Sequence, residues 1–420
     1  MIRALYSRNY RLFFTGQSIS LIGSWMQRIA ISWLVYRLTG SAVMLGAVNF
    51  ASEIPFTLAV PFAGVFIDRL NRHRVVVITQ ICSMAQASIL AALVLTNRAE
   101  LWHLFVLGAT AGLIQAFDNP ARQSLISAMV ERKEDLGNAI ALNSSIFNLA
   151  RLVGPSLAGV IIAVAGEGIC FLINAVSFIP VLGGLLAMRL PKHVPVERAS
   201  HVLHDFKEGF QYVRHSFPIR TLLLNLMFLS FAGMSYMTLM PILAKEVFGG
   251  GAQEFGFLMS AAGVGALAGA LFLASRKNVR GLIRFAAWGS ALFSIALVLL
   301  SFSHILILSV IILVVMGFGF MIRTASSNTV IQTIVADEKR GRVMGFFMLA
   351  NRGVLPFGAL FGGLLAEAFG VSWALLVNGL ICIAASFFFI KNLPKLREAI
   401  RPIYRSIGVI PQEELPARNP

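Results

Sequence analysis

Residues 64–74 read Gly64-Val65-Phe66-Ile67-Asp68-Arg69-Leu70-Asn71-Arg72-His73-Arg74, one acid and three arginines within eleven positions. On either side charge almost vanishes: residues 42–67 contain a single charge, Glu53, and residues 75–96 none. A helix needs about 20 apolar residues to cross a bilayer, so the stretch reads as a tight basic loop between two membrane spans. The same alternation runs through all 420 residues, which are 57% hydrophobic and 13% charged with a mean hydropathy of +0.78. Soluble domains carry about 25% charge, which excludes a soluble enzyme. Twelve apolar runs stand out, at 11–36, 42–67, 75–96, 102–127, 139–164, 168–189, 219–244, 253–274, 281–302, 305–328, 342–367 and 372–391. Backbone groups in lipid must be satisfied within each segment, so the runs are helices. An outer-membrane barrel would show short alternating strands instead. The opening MIRALYSRNYR leads into a run too long for a signal-peptide core and without a small-residue cleavage pattern, so the first span is expected to be uncleaved.

Twelve spans put both termini and every second loop on one side. Twenty-seven of the 35 Lys and Arg residues fall there, three (Arg37, Arg98 and Lys245) fall opposite, and five lie within spans. This asymmetry places the termini in the cytoplasm and reads the net charge of +16 as topology, not a nucleic-acid footprint. The longest internal loop divides the chain into a six-helix bundle at 1–189, a cytoplasmic central loop at 190–218, a second bundle at 219–391 and a cytoplasmic tail at 392–420. The central loop holds a possible amphipathic helix around His204–Val213. The tail's stretch 400–420, polar and proline-containing, is expected to be loosely ordered. A shift of 201 residues superposes His103 on His304, Arg122 on Arg323, Arg151 on Arg352 and Pro155 on Pro356. Such matches among rare intramembrane residues point to a duplicated unit, as in parallel transporter halves.

Two motifs carry a family resemblance. Gly64, Asp68, Arg69, Arg72 and Arg74 resemble the G-x-x-x-D-R-x-G-R-R loop signature of the major facilitator superfamily, with Asn71 at the second glycine, where a left-handed conformation is tolerable for Asn. The glycine allows close helix approach, and the acid is placed to cap a neighbouring helix or pair with arginine as a cytoplasmic gate. The matching loop after the eighth span keeps its basic residues and lacks the acid. In the fifth span, Gly154, Pro155 and Gly159 resemble the superfamily's antiporter signature G-x-x-x-G-P-x-x-G-G, with alanine at two glycine positions. The alternative is a proline-bent helix serving transport in either direction. The superfamily's fourth-span arginine is missing. Ser24-Trp25-Met26-Gln27-Arg28, Asn119-Pro120-Ala121-Arg122-Gln123 and Arg340-Gly341-Arg342-Val343-Met344 resemble the enterobactin-exporter-like branch, whose members are called siderophore or macrolide exporters. The resemblance covers most of residues 10–390 and implies an all-α membrane protein, twelve transmembrane helices in two pseudo-symmetric six-helix bundles.

The five intramembrane arginines are Arg28, Arg122, Arg151, Arg323 and Arg352; the intramembrane acids are Glu53 and Asp118. Charges at this depth are expensive and normally face a cavity or a partner. In the superfamily fold spans 1, 4, 7 and 10 line the cavity with 2, 5, 8 and 11 flanking, and all seven charges lie on those spans. The candidate substrate cavity is therefore Trp25, Gln27, Arg28, Gln115, Asn148, Arg151, Asn225, Tyr236, Arg323 and Arg352, a positive interior suited to an anionic or oxygen-rich cargo. Arg122 and Arg323 lie near cytoplasmic helix ends and have snorkelling to phosphates as an alternative. Glu53, Asp118 and Arg122 are the proton-coupling candidates, although Asp118 and Arg122, four residues apart, could equally form a static pair. Arg28, Glu53, Asp118 and Arg323 are expected to point into one cavity. Cys82, Cys170 and Cys382 lack metal or redox spacing, no Walker motif is present, and neither metal nor cofactor is expected. The reading is a monomeric bacterial inner-membrane transporter, not an enzyme. It exports a small organic molecule such as a siderophore or macrolide by alternating access, with protons and the bilayer as its other partners. An importer or lysophospholipid flippase on the same fold is the alternative; a membrane-embedded enzyme would need clustered nucleophile and base residues that the spans lack.

Overall fold

The computed structural model describes residues 3–190, 202–276 and 279–406, apart from a few side chains, those of Gly64, Asp68 and Arg69 among them. Every long apolar run is a helix. Span 1 is Arg8–Thr39, span 2 Ala42–Arg69, span 3 Arg72–Leu95, span 4 Leu101–Met129, span 5 Leu136–Ala165 and span 6 Glu167–Leu186. Span 7 is Phe217–Val247, span 8 Ala252–Ala274, span 9 Leu282–Ser301, span 10 Leu306–Ile334, span 11 Asp337–Phe369 and span 12 Val371–Lys391. Eleven of these are long and apolar enough to cross a membrane. Span 1, at 32 residues, has the length but is diluted by buried Gln17 and Gln27 and by Arg28.

The packing pattern displays the duplication. In the first half, span 1 packs on 5 and 6, span 2 on 4, and span 3 on 4 and 6. In the second, span 7 packs on 11 and 12, span 8 on 10, and span 9 on 10 and 12, which is the same scheme advanced by six helices. Between the halves, span 2 lies on 11 and span 5 on 8, two seams that the same operation exchanges. Each half is pinned by buried amides. Gln27 donates to Gln86 at 2.9 Å and accepts from Asn174 at 2.7 Å, tying spans 1, 3 and 6. Asn378 donates to Ser235 at 2.8 Å and Asn225 to Ser290 at 2.8 Å, tying spans 7, 9 and 12. Hydrogen bonds of this kind hold helices together where no hydrophobic drive exists between them.

Two further helices lie beside the bundle. Val202–His215 docks on the start of span 11, where Glu208 pairs with Lys339 and Arg342, and Phe206 meets Phe346 at 5.0 Å. Leu393–Ser406 corrects the expectation of a loose stretch from Ile400 to Ser406: Leu396, Ile400 and Tyr404, spaced by four, are buried against the second half. That i, i+4, i+8 stripe is a helical face, partly disguised in the sequence by Pro402. Burial pushes the Tyr404 hydroxyl above the usual phenol range. Residues 407–420 of the tail lie outside the described residues. Asn71 differs from expectation too: at φ −69° it is not left-handed, and its side chain accepts from the Arg74 N–H at 3.2 Å to cap span 3.

Candidate substrate and coupling site

The described hydrogen bonds and ring contacts between the halves all lie from mid-span to the face opposite the chain ends. Along spans 2 and 11 the contacts run from Ser41 and Glu367 at that face down to Thr57 and Gly353. Along spans 5 and 8 they run from Gly159 and Ala252 to Leu152 and Gly263. Among the described residues, no such contact joins the bundles nearer the chain-end face, so the site opens in that direction.

At the inner limit of these contacts the charges converge. Glu53 on span 2 accepts from Arg352 on span 11 at 3.2 Å and lies 3.7 Å from Arg28 on span 1. Arg352 also donates to Gln115 on span 4 at 3.1 Å and stacks 3.7 Å over the Phe56 ring. Arg28, its side chain 45% exposed, lies 5.3 Å over Trp25. Across the same centre, Arg151 on span 5 sits 5.0 Å over Phe320, with the Tyr236 hydroxyl of span 7 as hydrogen-bonding neighbour. Two cations, Arg352 and Arg28, therefore share one carboxylate, with Arg151 a third cation near the same centre, and Arg28 is partly exposed.

Local sequence explains the placement of two of these arginines. Arg151 and Arg352 each precede a proline by four residues, Pro155 and Pro356. Proline cannot donate to the carbonyl four residues back, so each arginine sits where the helix is already loosened. In span 11 the chain widens into a π-helical turn at Leu349–Gly353, a feature frequent at functional sites. In span 5 the Arg151 carbonyl faces Gly263 of span 8, where a Cβ would approach it to 3.1 Å.

Other expected site residues fall elsewhere. Arg323 does not reach the cavity; it is wholly buried within the second half, between the Phe293 and Phe320 rings at 5.5 and 5.4 Å, and its three side-chain nitrogens have no described partner. Asp118 turns away as well, accepting from Thr79 at 2.8 Å and Gln80 at 2.9 Å on span 3, with Arg122 at 3.7 Å. Arg122 itself donates to Asn119 at 2.9 Å. Helix rotation accounts for both: each residue lies on a cavity span but on the face packed into its own bundle. Gln27 and Asn225 are the amide ties described above, and Asn148 bonds its own helix at Ser144. Of the residues at 64–74, the side chains of Gly64, Asp68 and Arg69 lie outside the described residues; Arg72 and Arg74 open span 3, and His73 bonds the Leu185 carbonyl of span 6 at 2.8 Å. Gly154 abuts the Trp25 Cβ of span 1, while Gly159 abuts the Ala252 carbonyl of span 8, so the motif packs on both sides.

Sequence reasoning missed the closure at the far face. Glu367 of span 11 accepts from Ser41 Oγ at 3.0 Å and from the Ala42 and Val43 N–H groups at 2.8 and 3.3 Å, capping the start of span 2. Tyr36 donates to Glu246 at 3.0 Å, again joining the halves. The usable signal was that acids on that face are few and flank helix ends.

The chain matches, over residues 3–407, the profile of a family described as transmembrane secretion effector. It is 30% identical over 395 residues to the staphyloferrin A transporter of Staphylococcus aureus, covering 92% of this chain and 97% of that one. To macrolide efflux protein A of Streptococcus pyogenes it is 24% identical over 405 residues, covering 92% and 98%. Its fold is similar to the crystal structure of a bacterial homologue of the human lysosomal transporter Spinster in an inward-facing, unoccupied conformation, with TM-score 0.69 and 14% identity over 97% of this chain and 98% of that chain.

Proposed function

Since this chain belongs to the transmembrane secretion effector family, a branch of the major facilitator superfamily of membrane transporters, we propose that it exports a small anionic or oxygen-rich organic molecule, of siderophore or macrolide type, in exchange for protons. The name of macrolide efflux protein A and the family's description as a secretion effector support the efflux direction. In this reading the protein is a monomer of a bacterial inner membrane with both termini cytoplasmic, so the opening faces the cytoplasm. Residues 1–189 and 219–391 rock as two bodies about the central site.

The observation that carries the reading is the bridge from Glu53 to Arg352, set beside Arg28 and Arg151. The bridge joins the halves, so it must break for the site to face the other way. An anionic cargo entering from the cytoplasm takes Arg352 and Arg151, leaving Glu53 to Arg28. On the return step a proton neutralises Glu53 and releases Arg352 instead. Cargo and proton act alternately on one bridge, which is the requirement for exchange. Asp118, held by Thr79, Gln80 and Arg122, serves as a static strut in this scheme.

The test is efflux of hydroxycarboxylate siderophores and macrolides into everted vesicles, with and without an uncoupler. Export that collapses with the uncoupler in the parent, and that Glu53→Gln lowers about tenfold or more (about 1.4 kcal/mol) while losing its uncoupler sensitivity, supports the reading. Undiminished proton-dependent export by Glu53→Gln overturns it, and uptake in right-side-out vesicles alone would make the protein an importer.

A further inference from the structure

Away from the central site, spans 8, 9 and 10 and the terminal helix Leu393–Ser406 enclose a groove of about 780 Å³. Its rim holds five arginines: Arg276, Arg280 and Arg284 from the turn into span 9, and Arg397 and Arg401 from the terminal helix. No described lining residue is acidic. Below the rim the walls are apolar, with Phe272, Trp288, Leu292, Phe318 and Ile322. From Arg284 to Leu292 is eight residues of helix, about 12 Å of depth, so the groove descends from the chain-end face into the hydrocarbon region. Trp288 is 75% exposed on the outside of the bundle, so one wall of the groove meets lipid.

This basic cluster differs from others on the same face. Lys339 and Arg342 pair with Glu208, and Arg340 pairs with Asp337. Here five guanidinium groups line one mouth above an apolar slot. Gly281, at φ +82°, turns the chain into span 9 and aims the positive end of that helix at the same rim. Arg276 also lies 4.5 Å over the Phe285 ring, fixing its head at the mouth. Guanidinium groups suit phosphate bidentately, and the slot below suits an acyl chain.

We infer that this groove is a binding site for an anionic phospholipid of the leaflet on the chain-end side, its phosphate held by the arginine rim and one acyl chain lying along Trp288 and Leu292. The loop after span 8 is the counterpart of residues 64–74, and two of its arginines, Arg276 and Arg280, form part of the rim. By clamping the terminal helix to spans 8 and 9, the lipid stiffens the second half without entering the transport path.

The experiment is native mass spectrometry of the full-length protein released from nanodiscs of equal phosphatidylglycerol and phosphatidylcholine. The parent should retain one phosphatidylglycerol in preference to phosphatidylcholine. Arg276→Gln/Arg284→Gln/Arg397→Gln should lower that retention roughly tenfold or more, the order expected for removing three cations from an anionic surface. Arg397→Glu alone, on a helix surface that tolerates the change, should lower it in the same direction. The control Arg3→Gln/Arg8→Gln/Arg11→Gln, on exposed positions of the same face in the other half, should leave it within about twofold. Equal retention of both lipids, equal loss in the control, or unchanged retention in both groove variants overturns the inference. Displacement by millimolar glycerol 3-phosphate as readily as by added phosphatidylglycerol would overturn the lipid as occupant and leave a soluble phosphate in its place.

Discussion

Spans 2 and 11 form one seam between the halves and spans 5 and 8 the other. The pseudo-two-fold operation exchanges them, yet they are built from different chemistry. The 2·11 seam is ionic: Glu53 bridges to Arg352 at its inner end, and Glu367 caps the start of span 2 at its outer end. Both seams are close-packed through glycines, Gly46 on the Ala359 carbonyl and Gly363 on the Ala42 carbonyl in the first, but the contacts described for the 5·8 seam are neutral. Gly256 meets the Pro155 carbonyl at 2.5 Å for a built Cβ, Gly159 meets the Ala252 carbonyl at 2.7 Å, and Ser260 donates to the Leu152 carbonyl at 2.9 Å. A proton or an anion can act on the first seam, because its strength depends on carboxylates. Nothing titratable appears in the contacts described for the second, which depends on shape. In the proposed exchange the ionic seam carries the trigger and the neutral seam the pivot.

The sharpest way to break this division is Glu53→Gln. Removing one partner of a buried pair costs about 3–5 kcal/mol, and the lower end applies because Arg28 is partly exposed. The thermal midpoint of the purified protein should fall by several degrees, and Arg352→Gln in the same chain should restore part of the loss by removing the stranded cation. A Glu53→Gln protein as stable as the parent would show that the bridge does not hold the seam.

Next in size is Gly256→Val. Overpacking a tight contact costs about 1–3 kcal/mol. Because the contact is to backbone, the helices must separate. Export of every cargo should fall in parallel with no change in proton dependence, as efflux at two external pH values would show. A variant that alters the proton dependence alone would move the trigger to the 5·8 seam.

Much of this arrangement was legible in the sequence, and the exceptions share a cause. The spans were readable because apolar length is a one-dimensional signal, and Arg28, Glu53, Arg151 and Arg352 stood out because charge inside a span is rare; the structure gathers them, with Gln115, about one centre. Arg323 and Asp118 passed the same filter and proved to face their own bundles. Span membership fixes a residue's depth, whereas facing depends on helix rotation, which the packing partners set. The terminal helix was missed because its face comprises only Leu396, Ile400 and Tyr404 around a proline. The Glu367 cap was missed because its partners, the Ser41 hydroxyl and two backbone N–H groups, lie 324 to 326 residues away, which no local pattern reveals.

Smaller effects sharpen the comparison further. Glu367→Gln removes the charge at the start of span 2 and keeps a hydrogen-bonding oxygen, so about 0.5–1 kcal/mol of the helix-terminus interaction is lost. The population open at the far face should rise by about two- to fivefold, read by spin-label distances between the ends of spans 2 and 11.

The smallest expected effect is that of Ser260→Ala, which removes one neutral hydrogen bond to the Leu152 carbonyl and the contact with Ser156 at 2.5 Å. A bond of this kind contributes about 0.5–1.5 kcal/mol net, and the freed carbonyl faces a seam with little room for water. Its value lies in combination with Glu367→Gln. The two sites are on opposite seams and share no partner, so as independent local contacts their effects on stability should add within about 0.5 kcal/mol. Opening at the far face is another quantity. If the halves move as rigid bodies, neither seam can part alone, and each substitution must raise the same spin-label distance population at both seams. Ser260→Ala that widened only the 5·8 seam would mean the halves flex internally, and the pivot would then be a hinge within span 5 or 8, not the contact between them.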